Sequence, residues 1–199
     1  MYLHTLSLTA ENVLALLLNN LEKAYSIREI AQAVGQDYKI VFTTVHGLAK
    51  ARLVDLKRVS NINQCKPYLA KENAALFGFI SKRFAARRLS KTVWNALQDT
   101  IMSIKNPFYV FLVFGSYAKV TARASSDVDV LFIIADRNQE DEISAAVRKA
   151  ATLNNLKISP VILTQDEFAK GLGEESVARE AYKKHLIING GEIFYTLIS

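Results

Sequence analysis

The sequence predicts an α+β fold in two domains, and three observations lead to that prediction. In the first half of the chain, apolar residues recur at helical spacing and a candidate β-hairpin follows them. From residue 108 onward, candidate strands alternate with candidate helices, which is typical of a small domain whose helices pack on a sheet. The charge is also divided: residues 1–105 carry 15 lysines and arginines against 7 acidic residues, and residues 106–199 carry 10 against 12.

Composition narrows the classes of protein to which the chain can belong. Half of its 199 residues are hydrophobic, which is enough for packed cores, but the longest apolar runs are far too short to cross a bilayer. The first residues lack the basic segment and cleavage site of a signal peptide. The single cysteine, Cys65, excludes an internal disulfide. We therefore expect a cytoplasmic protein with no membrane partner.

Local signals predict three helices at the start of the chain. Apolar spacing predicts the first helix over residues 10–22. Ser26 and Glu29 fit a capping box at the start of the second helix. Asp37 is the expected N-cap of the third helix, over residues 38–51. The buried face of the third helix would hold Val41, Val45, Leu48 and Ala49.

A hairpin is predicted after these helices. Its strands are expected over residues 53–59 and 65–70, joined by a turn over residues 60–64. Pro67 lacks an N–H donor, which predicts that the second strand lies at the edge of its sheet.

Three helices followed by a hairpin resemble a winged helix-turn-helix domain. The resemblance lies in SIREIAQAVGQDYKIVFTTVHGLAKARLV, with Gly35 in the turn between two helices, and in the basic hairpin that follows. It covers about residues 9–72, and we assign the first domain to residues 1–72. Arg52 departs from the pattern, since such domains commonly have glycine after the third helix.

The resemblance implies that the exposed face of the third helix enters the major groove of double-stranded DNA and that the hairpin reaches phosphates. The candidate contacts on and just before this helix are Gln36, Tyr38, Lys39, Thr43, Thr44, His46 and Lys50. The candidates in the hairpin are Lys57 and Arg58. The basic charge of this half agrees with a polyanionic partner. Two alternatives stay open: these side chains only solvate the surface, or the domain contacts another protein.

Residues 73–106 contain apolar positions at helical spacing and no candidate strand, so we expect a helical linker. Its basic stretch, residues 82–88, either extends the DNA-contacting surface or faces solvent or a partner. The linker has more apolar residues than one buried helix face needs, which suggests that a second face is buried in a dimer. A homodimer would also match the paired half-sites that helix-turn-helix proteins bind.

The second domain, residues 107–199, begins with an apolar strand that ends in Gly115 and Ser116. Ten residues later come Asp127 and Asp129, at the start of a second apolar strand. Strand alternation places both carboxylates on one face, where they are costly unless paired or neutralised. A divalent metal ion holding a nucleotide triphosphate would neutralise them. Glycine before a short helix also lets the backbone approach phosphate.

The segment GSYAKVTARASSDVDVLFI resembles the DNA polymerase β-like nucleotidyltransferase superfamily in its minimal form. The resemblance implies a mixed sheet with helices packed on one side, and Mg²⁺ or Mn²⁺ held by Asp127 and Asp129. It also implies transfer of a nucleoside monophosphate from an NTP to a hydroxyl. The implied nucleotide-binding residues are Gly115, Ser116, Lys119 and Ser126. The fusion to a winged helix is similar to prokaryotic, often archaeal, proteins described as transcriptional regulators.

The sequence leaves catalysis open. Active members of the superfamily carry a third carboxylate on a later strand. In this chain, Ser159 occupies the position where we expect that carboxylate. Serine is a weak, neutral ligand and cannot replace a carboxylate as base. We therefore expect a DNA-binding transcriptional regulator that binds a Mg-nucleotide. The alternatives are an active nucleotidyltransferase, with Asp127 and Asp129 catalytic, that modifies a protein or small-molecule hydroxyl, and a pure interaction module.

The rest of the second domain is predicted from local pattern. A helix is expected over residues 139–153 and a strand over residues 157–163. Thr164 and Glu167 fit a second capping box. The tail is expected to form a helix over residues 174–188, and then a turn and a final edge strand at residues 193–195.

Overall fold

The computed structural model describes residues 6–59, 62–123 and 126–199, and these contain ten α-helices and two sheets. The helices are α1 (Leu8–Leu18), α2 (Ile27–Val34), α3 (Tyr38–Lys50), α4 (Ala74–Arg88), α5 (Lys91–Ser103), α6 (Gly115–Lys119), α7 (Glu140–Asn154), α8 (Gln165–Gly171), α9 (Val177–Lys183) and α10 (Gly191–Leu197). The strands are β1 (Tyr25–Ser26), β2 (Val54–Val59), β3 (Ile62–Pro67), β4 (Tyr109–Val113), β5 (Val128–Ile134), β6 (Ile158–Thr164) and β7 (Leu186–Asn189). This mixed content agrees with the predicted α+β class. In the described ranges, no helix is long and apolar enough to cross a membrane.

Local capping signals set the helix boundaries at the start of the chain. Ser26 Oγ accepts a hydrogen bond from the Glu29 N–H at 3.2 Å, and Glu29 Oε2 accepts one from the Ser26 N–H at 2.8 Å. The predicted capping box of α2 is therefore confirmed. Asp37 caps α3 by accepting from the Lys39 N–H at 2.8 Å. Helix α1 ends at Leu18, four residues earlier than predicted, and Asn19 is its C-cap.

The first sheet corrects one prediction about the hairpin. Its strand order is β1-β3-β2, all antiparallel, so β3 is the central strand and the predicted edge position is wrong. Pro67 is tolerated because β1 pairs only as far as Cys65, while Pro67 lies opposite Val54 of β2 at the end of the strand. Strand β3 begins at Ile62, so the predicted turn over residues 60–64 is too long; residues 60 and 61 lie outside the described residues.

Helix α4 packs against α1 of the first part of the chain and against α10 and β7 near its end. The backbones of α4 and α10 approach closely at Gly78 and Gly191. A Cβ atom built on Gly78 would lie 2.6 Å from the Glu192 backbone nitrogen. Ser81 and Tyr195 join the same two helices through a buried hydrogen bond of 2.7 Å between their hydroxyls. Residues 73–106, predicted to be helical, thus contribute to the core of the molecule.

The second sheet is mixed, as expected, with strand order β6-β5-β4-β7. Strands β5 and β6 are parallel, and β4 is antiparallel to both of its neighbours. All five residues of β4 are buried, which requires cover on both faces of the sheet. Val110 and Leu112 pack on the side of α4 and α10, and Phe111 and Val113 on the side of α5 and α7. The expectation of helices on one side only is therefore wrong.

The C-terminal residues also differ from the prediction. The expected helix over residues 174–188 divides into α9 and the strand β7, and residues 193–195 belong to α10 rather than to an edge strand. The apolar run Leu186–Ile188 fits either helix or strand by local pattern. Pairing with β4 selects the strand, and Gly190, with φ 68°, turns the chain into α10.

Candidate functional site

Two carboxylates lie where β5 begins, next to β4 and β6. Asp127 immediately precedes the strand and is exposed, and Asp129 is half-buried at its second position. Val128 and Val130 point to the opposite face and are buried. Burial raises the pKa of Asp129, and the negative charges of Glu180 and Asp127 raise it further, whereas Lys119 opposes the shift. The strand therefore presents concentrated negative charge at one end of the sheet.

Gly115 begins α6 directly beside this pair. Its φ of 63° is in the left-handed region, and a Cβ atom at this position would collide with Oδ2 of Asp129. The Phe114 N–H donates to the backbone oxygen of Asp129 at 3.0 Å. The predicted glycine and aspartate are thus in contact, and the absence of a side chain at Gly115 makes room for the carboxylate.

Ser159 also lies at this site. It is opposite Asp129 in the parallel pairing of β5 and β6, and its hydroxyl donates to Oδ2 of Asp127 at 3.4 Å. A hydroxyl therefore stands beside the two aspartates at the position where the sequence suggested a missing carboxylate.

Glu180 of α9 was not anticipated by sequence reasoning. Its Oε1 lies 2.6 Å from Lys119 Nζ, and this ion pair sits close enough to Asp129 for both charges to affect its pKa. The sequence predicted a helix here but gave no signal for which residue of it would face β5. A third carboxylate therefore approaches the site from an element far away in the chain.

Ser116 and Ser126 shape the loop around the carboxylates. Ser126 Oγ accepts from the Arg123 N–H at 2.9 Å, and its own N–H donates to the Arg123 oxygen at the same distance. Ser116 is half-buried, and its backbone oxygen accepts from the Thr121 N–H at 2.9 Å. Residues 124 and 125 lie outside the described residues. Ser126 is thus held to Arg123 by two hydrogen bonds just before Asp127.

Two open hollows are lined by residues near the carboxylate pair, although neither is lined by Asp127 or Asp129. One, of about 620 Å³, is lined by Lys119, Glu180 and other residues of α9. The second, also about 620 Å³, is lined by Tyr117, Ser126 and Lys157 among others. Each volume is within the range of small-molecule sites.

The residues at this site fit a metal ion that a phosphorylated ligand brings with it. No group of three or more histidine, cysteine or acidic residues suited to hold a metal occurs in the described part of the chain. Mg²⁺, however, is commonly bound by one or two carboxylates together with substrate phosphates and water. Asp127 and Asp129 supply that number of carboxylates from one strand end.

On α3, four of the candidate residues form an exposed stripe. Lys39, Thr43, His46 and Lys50 are all exposed and follow one another at intervals of four, three and four residues, which places them on one helix face. Val41, Val45 and Leu48 are buried on the opposite face. Of the remaining candidates near α3, Gln36 and Tyr38 are exposed and Thr44 is half-buried.

Aromatic rings border this stripe. The rings of Tyr38 and Phe42 are 6.0 Å apart, and those of Phe42 and His46 are 4.3 Å apart. Tyr38 and Phe42 are 49% and 38% exposed, so their rings are available to a partner.

The two hairpin candidates lie on opposite faces of β2. Lys57 is paired with Asp55 of the same strand at 2.9 Å and shares a face with Gln64. Arg58, its neighbour, shares the other face with Asn63, and both cations are exposed. A ligand lying along one face of the hairpin would therefore meet only one of the two.

A family model with the description HVO_A0114 matches residues 8–72. The match covers α1 to β3 and ends just before α4. No curated protein and no solved structure matches the chain.

Proposed function

We propose that the chain is a DNA-binding transcriptional regulator whose first part is a winged helix-turn-helix. The observation that carries this proposal is the order α1-β1-α2-α3-β2-β3, with the three strands in one antiparallel sheet and a basic, exposed face on α3. In winged domains, the helix after the turn is the one that enters the major groove.

The exposed stripe of α3 has the chemistry that such a role requires. Lys39 and Lys50 can reach phosphates or guanine edges. The Thr43 hydroxyl donates to the Lys39 backbone oxygen at 3.0 Å, so it can still accept from a base amine and offer its methyl group to thymine. His46 lies between these groups. Arg58 or Lys57 of the hairpin would meet an adjacent phosphate.

Fluorescence anisotropy with a labelled duplex of mixed sequence tests the proposal. A DNA-binding domain should bind at low salt, and log K should fall linearly with log salt as counterions are released. An acidic polymer without bases, such as heparin, serves as competitor. If the protein does not bind the duplex at low salt, the proposal is contradicted.

For the second part, we propose that Asp127, Asp129, Gly115 and Ser116 form a nucleotide-binding site of the nucleotidyltransferase type. Two neighbouring carboxylates, with a buried glycine at the start of α6 that makes room for one of them, support this proposal. Lys119 and Ser126 line different hollows and are the further candidates for contact with the triphosphate, Lys119 only after release from Glu180. Mg²⁺ or Mn²⁺, when bound by the two aspartates, would offset the charge of the phosphates.

The roles of the remaining side chains follow from their contacts. Ser159 holds the Asp127 carboxylate by a hydrogen bond. Glu180 holds the Lys119 ammonium, which would otherwise be free to contact phosphate. With Glu180 paired to Lys119, the site would bind and orient an anion, and among the described residues no carboxylate beyond the two aspartates is free to act as base on an incoming hydroxyl. A nucleotide would thus be a ligand of the regulator rather than a substrate.

The presence of Glu180 favours a second candidate function, an active nucleotidyltransferase that modifies a hydroxyl of a protein or small molecule. If Glu180 turned from Lys119 toward Asp129, the site would gain a third carboxylate. Incubation with labelled ATP, GTP, CTP or UTP, Mg²⁺ or Mn²⁺ and cell extract tests this function. Label transfer that is abolished in both Asp127→Asn and Glu180→Gln, but retained in Glu174→Gln, would establish it.

We also propose that the regulator acts as a homodimer, because a single helix-turn-helix reads only a short half-site. Sedimentation equilibrium of the full chain, with and without a duplex, tests this point. A monomer under both conditions would contradict it.

A further inference from the structure

A separate cavity of about 330 Å³ lies where the first part of the chain, residues 12–34, meets Phe84, Arg88 and Lys184 of the later part. One wall comes from α1, β1 and α2, and the other from the C-terminal end of α4 and the segment between α9 and β7. Of the lining residues, only Lys184 also lines the hollow beside Lys119 and Glu180, and neither Asp127 nor Asp129 lines this cavity. The lining residues that bear on its chemistry are Asn12, Asn20, Tyr25, Phe84, Arg88 and Lys184.

The lining contains two cations and no acidic residue. Neither Arg88 nor Lys184 forms an ion pair within the described residues, whereas the neighbouring Arg83 pairs with Glu11 at 3.1 Å. Lys184 is only half-exposed. Its burial and the positive charges of Arg88, Lys119 and Lys23 lower its pKa. Positive charge is therefore concentrated at this wall, and an anion entering the cavity would relieve it.

The other lining residues supply hydrogen-bonding and apolar surfaces. Asn20 Nδ2 donates to the Leu16 backbone oxygen at 2.8 Å, which leaves the Asn20 side-chain oxygen able to accept. Tyr25 and Phe84 contribute aromatic surface. A few convergent polar groups in a mostly preformed concave site of this volume are typical of small-molecule sites, and do not suit a duplex.

We propose that this junction cavity binds a small ligand through a phosphate dianion, held by Arg88 and Lys184. The planar guanidinium can donate two parallel hydrogen bonds to phosphate oxygens, and the ammonium adds a point charge. A phosphate monoester carries nearly two negative charges at neutral pH, which matches two unpaired cations better than a single carboxylate does. The phosphate is either free or carried by an organic molecule of nucleotide size.

Because its walls come from both parts of the chain, a bound ligand would hold them together. A ligand that binds only the folded state raises the midpoint of unfolding. The inference does not depend on DNA binding or on the carboxylate site, and its test can fail independently of theirs.

Thermal unfolding and calorimetric titration of the full chain test the inference, with inorganic phosphate, AMP and adenosine as probes. EDTA is included so that metal-dependent binding at Asp127 and Asp129 does not contribute, and Asp127→Asn is titrated in parallel. The test variants are Arg88→Gln alone and together with Lys184→Gln. The matched control is Arg87→Gln with Lys170→Gln, which removes two exposed cations outside the cavity.

Binding of phosphate or AMP should raise the melting temperature of the wild type and of Asp127→Asn alike. We expect the double cavity variant to weaken binding at least about tenfold, Arg88→Gln alone to weaken it several-fold, and the control pair to stay within about twofold. Tighter binding of AMP than of phosphate would identify an organic carrier, and equal affinity would identify free phosphate. Three results would overturn the inference: no binding of either anion at about 10 mM, affinities that the cavity variants leave unchanged, or adenosine binding as tightly as AMP.

Discussion

The backbone of Gly115 lies against the carboxylate of Asp129, so that a Cβ atom on the glycine would collide with Oδ2 of the aspartate. This contact joins the end of β4 to the start of β5 and fixes the candidate site. It depends on two properties of glycine, the missing side chain and the φ of 63°.

Gly115→Ala should therefore destabilise the protein and displace the Asp129 carboxylate. Strain at a left-handed position costs about 1–3 kcal/mol, and we expect a decrease of that size in the free energy of unfolding from chemical denaturation. Gly47→Ala is the matched control, because Gly47 lies in α3 and a methyl group there would meet nothing beyond the backbone of its own helix. The control should gain up to about 1 kcal/mol from helix propensity. Equal effects of the two substitutions would contradict the contact.

Gly78→Ala tests the packing of α4 on α10. The new Cβ would lie 2.6 to 2.7 Å from backbone atoms of Glu192 and Gly191, which cannot rotate away as a side chain can. Overpacking of this kind typically costs about 1–3 kcal/mol. The free energy of unfolding from urea denaturation measures it. A neutral result would mean that the two helices are further apart than the structure has them.

Buried His185 should make stability depend on pH. Its Nδ1 lies 2.9 Å from the Ala181 oxygen, its Nε2 has no partner among the described residues, and burial lowers its pKa from 6.5 to about 4. Above pH 6.5 the imidazole is neutral in both the folded and the unfolded state. As the pH falls toward 4, only the unfolded state takes up the proton, so the free energy of unfolding should drop by about 3 kcal/mol.

Denaturant unfolding between pH 7 and pH 4 measures this effect. His185→Gln removes the titrating group, so its free energy of unfolding should change less with pH than that of the wild type. His46→Gln alters an exposed histidine and should follow the wild-type profile. A parallel profile for His185→Gln would show that the buried imidazole does not cause the pH dependence.

Glu180→Gln separates the two candidate functions of the second part. Removal of this carboxylate frees Lys119, which Glu180 holds at 2.6 Å, and takes away negative charge near Asp129. If the site is a sensor, we expect nucleotide to bind several-fold more tightly, as fluorescence titration with a labelled ATP would show. If the site is an enzyme in which Glu180 is the third acid, label transfer should be abolished instead.

How much of this arrangement could be predicted from sequence depends on how local each signal is. The capping boxes at Ser26 and Thr164 involve residues three apart and were predicted correctly. Strand alternation likewise predicted that Asp127 and Asp129 share a face.

Features that depend on distant parts of the chain were missed. The central position of β3 requires pairing with the two-residue strand β1, which is too short to recognise by pattern. Leu186–Ile188 become a strand because β4 offers a free edge. The approach of Glu180 to Asp129 depends on the packing of α9, for which residues 174–188 carry no local signal.

The measurement that tests the central claim most directly is the salt dependence of duplex binding by a Lys39→Gln, Lys50→Gln variant. Both lysines lie on the exposed stripe of α3. We expect weaker binding to every duplex and a slope of log K against log salt that is shallower by about 1 for each phosphate that the variant no longer neutralises. Lys149→Gln with Lys170→Gln, exposed lysines of the second part, should leave affinity and slope unchanged. If instead the α3 variant keeps the wild-type slope, α3 is not the surface that meets DNA and the proposed role of this helix is wrong.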